Sequence, residues 1–600
     1  MSEDYSYILV EQYATEVLDF SSQYGSDNSI SYTAHNITGM PSKFPSYGDF
    51  SQTYVMRDYG PWWKDCPSGK VWRKPFNSPK SNIKPPDNFI DIKYEHCVYP
   101  IRIHVYETYN PGGITAIWAG NCQGNWKLLW GISSSKENQD VSQRPRIFSP
   151  PLQQTSFPTK LLRLEFEQTH LLYYTEIDAV ALLGTLSPVS TEARIGAMLP
   201  ENMGEIMKTI VKRKLHILPQ DTDKIIYNCA TMLNKRSLQA FQSRLEERER
   251  NPGDSNLGLF DRLPREIMLH ILSYLDLITL VQISGVSTLF REFVSDPYLY
   301  TSLDLKDIFY CASSQTLSWL ETRCSALVEL DLSWCGNYGK IKPSALQQFI
   351  ETTGHTLNSI RLDNCHVATV SVLNTIVSFS PNLKRLSLGN CHLLTLPDFH
   401  LLSQLENLVS LNLYRTSVGQ TSIITILCNN RKLKHLCLAG CQNIDGDEVC
   451  IVLSHCQLDL ECLDLWRCST LSDRGIASLS LCTKLRDLDI GWCLSIPGGT
   501  GALVHLIESC PGLERLYLTA HRQTGNRELK ALCKLKNLKQ LDILGNRNIT
   551  FSALQELVSF VPSLQLVDAS FCTQLEEAEV RQLRQDFPNL TIKWSFIDVQ

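Results

Sequence analysis

From about residue 300 onward one apolar pattern returns roughly every 26 positions, and no other feature of the chain narrows its fold so far. The pattern is L-x-x-L-x-L-x-x-C. It runs Leu327/Leu330/Leu332/Cys335 in its first clear copy, Leu460/Leu463/Leu465/Cys468 in the middle and Leu564/Val567/Ala569/Cys572 in the last, with ten registers in all. The L-x-L step alternates as a strand does, so its leucines face one way and the residue between them the other. Between copies there is room for one helical return, such as 421–427. One such unit cannot bury its own apolar face, whereas stacked copies can, with strands side by side as a concave wall and returns outside. Tyr300/Leu303/Leu305 is a degenerate opening copy and 590–596 a closing strand, as terminal caps should be.

Of the 21 cysteines, 17 fall at or after Cys311 and most track the repeat. That placement predicts reduced, buried thiols in the cytosol or nucleus, not a secreted disulfide framework. A zinc site would pair C-x2-C or C-x2-4-C steps, and no C-x2-C occurs anywhere, so neither a metal centre among Cys437, Cys441, Cys450, Cys456, Cys462 and Cys468 nor a RING domain is expected. The C-x-x-[IL] step, as in Cys391/Leu394, Cys441/Ile444 and Cys493/Ile496, resembles the cysteine-containing subclass of leucine-rich repeats. The resemblance implies an α/β solenoid of about 10–12 repeats over 301–600.

Directly before the repeats, Leu263, Ile267, Ile271 and Leu275 recur every four residues, a stripe down one helix face. Pro264 suits the first turn and Asp261 can cap it. Leu280, Ile283, Val286, Phe290 and Val294 continue the pattern in following helices. A segment of about 40 residues can scarcely close a core alone, so a partner should cover the remaining apolar face. The run L-P-x-E-I-x-x-x-I-L-x-x-L-D from Leu263, then V-S-x-x-F-R-x-x-V-x-D-P-x-L-Y from Val286, resembles an F-box leading into leucine-rich repeats. It departs from the commonest pattern at Ser287, often Cys, and at Phe290, often Trp. The resemblance to F-box/leucine-rich-repeat substrate receptors implies that Leu263, Pro264, Ile267, Ile271 and Leu275 bind a Skp adaptor, which docks on a cullin carrying a RING subunit.

Residues 1–185 have another texture, with short runs in period two such as Ile101, Ile103 and Val105, set apart by Pro, Gly and aromatic residues. They predict a β-sandwich or barrel. The closing strands 161–166 and 180–184 resemble a discoidin-like jelly roll. Discoidin domains bind glycans or lipid headgroups through loops, for which 59–63 or 109–113 would serve. Residues 186–256 lose the alternation and form a linker with helical stretches, and the F-box takes 257–300. The three-part order is that of one branch of the F-box/leucine-rich-repeat family. Kinship with it implies association with mitochondria and a ligase that restrains mitophagy receptors. No Lys or Arg occurs in residues 1–42, which fits the cytosol or an outer-membrane surface better than import into the matrix. No run is apolar for long enough to span a bilayer, and the net charge of -6 with scattered Lys and Arg gives no footprint for nucleic acid.

On the inner wall the residues between core leucines should face outward: Asp331, Arg361, Ser387, Asn412, Cys437, Asp464, Asp489, Tyr517, Asp542 and Asp568. Trp334, Tyr414, Arg415, Trp466, Arg467 and Trp492 follow the strands, and exposed Trp, Tyr and Arg anchor protein interfaces. A protein substrate is therefore expected on Tyr414, Arg415, Asp464, Trp466, Arg467, Asp489, Trp492 and Tyr517. Aspartate at that position can also serve only to hydrogen-bond the neighbouring turn. H-E-x-x-H, G-x-S-x-G, the P-loop and a dinucleotide fingerprint are all missing, so neither catalysis nor a cofactor is expected. The expected function is substrate receptor of a Skp–cullin–F-box ubiquitin ligase, feeding proteasomal degradation. The competing readings are a scaffold without ubiquitin transfer and a discoidin-type glycan or lipid binder.

Overall fold

The computed structural model describes residues 9–26, 29–57, 86–121, 123–132, 144–171, 173–188, 263–336, 340–497, 499–521 and 524–595. Asp261, the 59–63 loop and nearly all of the expected linker lie outside the described residues.

The N-terminal region is built from β1 (Leu9–Tyr13), β2 (Glu16–Phe20), β3 (Tyr54–Val55), β4 (Asn88–Tyr109), β5 (Ile114–Gly120), β6 (Trp126–Gly131), β7 (Arg146–Phe148), β8 (Thr159–Phe166) and β9 (Glu176–Thr185). Pairing is antiparallel throughout and β4 belongs to two sheets. Its first half lies between β2 and β8, with β5 and β6 beyond. Its second half pairs β9 and β7, and β9 also pairs β1 and β3. The strand bends where its register breaks, between Lys93 and Val98 and again beside Pro100, which has no N–H for a ladder. The inner faces meet in a core of Ile90, Ile92, Ile103, Val105, Leu162, Leu164 and Leu182. This arrangement fits the expected β-sandwich.

One outer face is unusual. On β8 the alternation puts Leu162, Leu164 and Phe166 into the core, yet Arg163 and Glu165, which point the other way, are buried as well. Something covers them.

Three short helices follow, α1 (Arg265–Leu272), α2 (Leu277–Ser284) and α3 (Thr288–Val294). Asp276 caps α2 by accepting from the Thr279 N–H at 2.7 Å, and Ser287 caps α3 by accepting from the Phe290 N–H at 3.2 Å. Serine at 287 therefore has a local task. Pro264 sits at the cap position of α1 and not inside its first turn, because its ψ of 149° is extended. Met268, Leu272, Leu280, Phe293 and Val294 join Tyr300, Leu303 and Leu305 in one apolar cluster, so the helices are fused to the start of the repeats.

The repeats form one sheet of twelve parallel strands, from Ser302–Asp304 to Thr591–Lys593, in strict sequence order. The expected opening and closing strands are its two ends. Returns are mostly α-helical, and Gln420–Asn429 contains the expected 421–427, but Asp398–Gln404 is a 3-10 helix that begins after Pro397.

Two ladders run along the turn that ends each strand. The residue before the pattern cysteine is left-handed in every copy, with φ of 65° at Trp334, 56° at Asn390, 70° at Gly440, 60° at Arg467 and 58° at Trp492. The pattern residue itself donates to the repeat before. Cys391 Sγ reaches the Leu362 carbonyl at 3.0 Å, Cys441 the Leu413 carbonyl at 3.0 Å and Cys493 the Leu465 carbonyl at 3.2 Å. Asn546 Nδ2 and His521 Nε2 make the same bond to Leu518 and Ile490. Burial pulls the His521 imidazole down to about 4, so the neutral ring makes this contact at pH 7. The thiol is thus a second donor to a carbonyl of the preceding repeat and not only a small apolar filler. Cys493→Val, which keeps bulk and removes the donor, is expected to cost about 1–2 kcal/mol in a denaturant titration, and Cys493→Asn less if it fits.

Candidate functional site

Two surfaces expected from the sequence behave in opposite ways. Along α1, Met268 and Leu272 are 1% and 2% exposed and hold the helix down. Leu263, Ile267 and Ile271 are 37%, 47% and 42% exposed, and Pro264 is exposed beside them. Tyr274 and Val286, in the same three-helix segment, are exposed as well. Leu275 departs from the expected stripe: it is half-buried against the core cluster, and Tyr274 takes the outward place. The helix is pinned from its polar side, where Arg265 reaches Asp296 at 2.7 Å and Glu292 at 3.2 Å, near the end of α3. A row of large apolar groups therefore stands on a rigid support, left open by the described residues of its own chain.

The repeat wall is filled. Of the ten positions expected to face outward, nine, from Asp331 to Asp568, are buried, and the tenth, Arg361, has a side chain only 13% exposed. The N-terminal β-domain lies in the arc and contacts it from the opening strand to the closing one. Near the opening, Lys306 Nζ donates to the Pro86 carbonyl at 3.1 Å, Trp118 stacks on Tyr310 at 5.0 Å and Phe89 meets Trp334 edge-on at 4.8 Å. Arg163, paired with Asp91 at 2.7 Å, lies over Phe309 at 4.2 Å, which explains the burial of the outer face of β8. Next along the arc, Asn364 and Asn390 donate to the carbonyls of Phe20 and Ser21, and Arg415 covers the Phe20 ring. At the far end the Tyr109 hydroxyl is 3.4 Å from Ser595 Oγ and Lys593 lies over Tyr173. The 109–113 loop, expected as a ligand loop, thus starts at this contact.

The centre of the wall holds one guanidinium. Arg57 Nη2 donates to Asp464 at 3.0 Å and to Asp489 at 2.9 Å, with the Trp466 ring 4.3 Å and the Tyr414 ring 5.6 Å from the guanidinium carbon. Beside it, Arg467 donates to the Tyr24 carbonyl, and Trp492 Nε1 donates to the Tyr24 hydroxyl at 3.0 Å. Tyr517 is buried, its hydroxyl 2.8 Å from Gln540. Tyr414, Arg415, Asp464, Trp466, Arg467, Asp489, Trp492 and Tyr517 are therefore brought together as expected, but they face the β-domain and not solvent. The aspartates also have the local task weighed from the sequence: Asp464 accepts from the Trp466 N–H at 3.0 Å and Asp489 from the Gly491 N–H at 2.9 Å. Burial and the Asp464 carboxylate push Asp489 up to about 7 against the pull of Arg57.

With both surfaces described, the chain can be placed among known proteins. Residues 260–306 match the F-box-like family model. Over 98% of its length the chain is 35% identical to F-box/LRR-repeat protein 4 of Bos taurus, in an alignment of 602 residues that takes in 92% of the bovine protein. The chain belongs to that family. As a family member it is also similar to the DNA repair protein rhp7 of Schizosaccharomyces pombe, 27% identical over 296 residues, 48% of each chain. Among solved structures, the yeast Rad7 and Elc1 complex matches 63% of this chain and 93% of its own chain at 17% identity and a TM-score of 0.37.

Sequence reasoning missed the β-domain half of the contact: Tyr24, Arg57, Phe89, Trp118, Arg163 and Tyr173. A signal was present in the left-handed register. Gly440, Gly545, Asn364 and Asn390 tolerate that conformation at little cost, whereas Trp334, Arg415, Arg467, Trp492 and Phe571 do not. Bulky side chains kept in a strained position mark a contact that offsets the strain. Among the described residues no group of three or more His, Cys, Asp or Glu is placed to hold a metal ion, and no helix is long and apolar enough to cross a membrane.

Proposed function

We propose that the chain is the substrate-recognition subunit of a Skp–cullin–F-box ubiquitin ligase and leaves the chemistry to its partners. One observation carries this reading: the open row of Leu263, Ile267 and Ile271 on a helix whose other face is already buried. Apolar residues at helical spacing on a rigid helix are what a groove on another polypeptide takes up. Membership of the F-box/LRR-repeat protein 4 family supports the same reading. The contribution to ubiquitin transfer is then positional, since holding a substrate lysine close to a charged thioester raises its effective concentration.

Because Arg57 and Tyr24 fill the wall, we place the substrate on the outer surface shared by the β-domain and the array, away from the line of Asp464, Asp489 and Tyr517. Kinship alone supports the narrower reading that this ligase works at the mitochondrial surface, from the cytosol, and restrains mitophagy. Fractionation with and without protease treatment of intact mitochondria tests that part separately.

The main reading is tested by co-expressing the full chain with a Skp-type adaptor. The expected result is co-elution in equal amounts through size exclusion, followed by capture of a cullin carrying its RING subunit. Elution of the chain alone, correctly folded, sinks it.

A further inference from the structure

On the outside of the array, the helices Gln420–Asn429 and Gly446–Cys456 belong to consecutive repeats and lie side by side. Their C-terminal ends are tied together. Gln457 Nε2 donates to the Leu427 carbonyl at 2.9 Å and also to the Asn430 carbonyl. Cys428 lies between those two acceptors in the chain and Cys456 directly precedes the donor, so the Gln457 side chain holds together the two helix ends that carry these cysteines. Cys428 is exposed and Cys456 is half-buried, and the groups that act on the Cys456 thiol are Cys428 and Arg431.

This pair differs from the cysteines of the repeat pattern. Cys391, Cys441 and Cys493 are buried and each spends its S–H on a backbone carbonyl of the preceding repeat. Cys97, Cys311 and Cys533 reach solvent but stand on other elements.

We propose that Cys428 and Cys456 form a reversible disulfide when the protein meets a peroxide. Cys428, the more accessible, reacts first. Its thiolate attacks one oxygen of hydrogen peroxide, the S–O bond forms as the O–O bond breaks, and the departing hydroxide takes up the thiol proton as water. The Cys456 thiolate then attacks the Cys428 sulfur, the S–S bond forms, the S–O bond breaks, and a second water leaves. Two thiols are oxidised, one peroxide is reduced, and two waters are released. Burial and the neighbouring thiol raise the Cys456 thiol above its ordinary range, which makes it the slower, resolving partner. A dithiol reductant reverses the bond. The crosslink joins the two repeats whose strands, Ser410–Asn412 and His435–Cys437, carry the wall on either side of Tyr414. It would fix the spacing of these repeats behind the contact with Arg57.

The test uses the purified, reduced full chain, treated with hydrogen peroxide, alkylated and digested without reductant. The expected result is a peptide linking Cys428 to Cys456, lighter by two hydrogens than the sum of its parts and cleaved by dithiothreitol. The oxidised chain should also unfold at a higher temperature than the reduced one. In Cys428→Ser and in Cys456→Ser that difference should vanish while the unfolding temperature of the reduced chain stays as it was. The proposal is overturned if both thiols remain open to alkylation after peroxide. It is also overturned if Cys428 proceeds to sulfinic acid with Cys456 untouched, or if the linked peptide forms only after denaturation. None of these outcomes depends on adaptor binding, so the inference stands or falls apart from the ligase reading.

Discussion

Changing Ile267 and Ile271 together to aspartate is expected to abolish capture of the Skp-type adaptor and leave the chain folded. Each isoleucine is a little under half exposed in the free chain, so the substitutions themselves disturb little packing. Surface changes of this kind stay within about 0.5 kcal/mol, with a few tenths more for aspartate in a helix. In a complex the same side chains would be fully covered. Because each is already more than half covered, losing it removes about half of the roughly 1.5–3 kcal/mol of a full burial, and burying two unpaired carboxylates costs several kcal/mol more. The combined loss exceeds about 4 kcal/mol, a fall in affinity of roughly a thousandfold or more. Met268→Asp is the contrast. It places a charge in the 1% exposed layer between α1 and the first repeat, so it should unfold the helices and lower the yield of soluble chain. Titration calorimetry and the thermal midpoint together separate the outcomes. Retained affinity in the folded double variant would remove Ile267 and Ile271 from the interface.

The difference between α1 and the repeat wall shows what can be read from a sequence like this. Both are periodic. The L-x-L step dictates which residues point into the solenoid, and Leu330, Leu386 and Leu463 are buried as that step requires. The four-residue stripe likewise placed Leu263, Ile267 and Ile271 on one face, and failed only at Leu275, where the helix had already ended at Leu272. Periodicity specifies direction, however, and not what lies in that direction. Asp464 does point away from the solenoid core, but it meets Arg57, which is 407 residues away along the chain. No local pattern couples those positions. The outer face of β8 held half of the clue, because Arg163 and Glu165 alternating with core leucines look like a solvated face until Phe309 and Lys306 are seen to cover it. The β-sandwich itself was legible from its period-two runs, whereas its place in the arc was not.

Arg57→Ala should be the most damaging single change at the interface between the two large domains. Among the described residues the guanidinium is the counter-charge that Asp464 and Asp489, both buried, share, and removing one partner of a buried ion pair costs about 3–5 kcal/mol. Arg57→Lys should fall between, since an ammonium can serve both carboxylates as the single Nη2 does but has no planar face to lie on Trp466. The effect should also depend on pH with a definite sign. Asp489 has its folded value raised to about 7, above the unfolded range near 4, so the folded chain holds a proton there that the unfolded chain has lost. Its contribution to stability is therefore complete below about pH 4 and disappears as the pH rises through about 7. Without Arg57 the Gly491 N–H is left to oppose the raising influence of burial and of Asp464. The loss then continues to higher pH, and the gap between wild type and Arg57→Ala should widen from pH 6 to pH 8. Adding Asp464→Asn to Arg57→Ala should close part of that gap, because it removes one of the two charges left without a partner. Denaturant midpoints at the two pH values measure this, and limited proteolysis reports whether the β-domain leaves the arc first. An Arg57→Ala chain with an unchanged midpoint at both pH values would mean that the aromatic contacts of Tyr24, Phe89 and Trp118 hold the domains together without help from the buried charges.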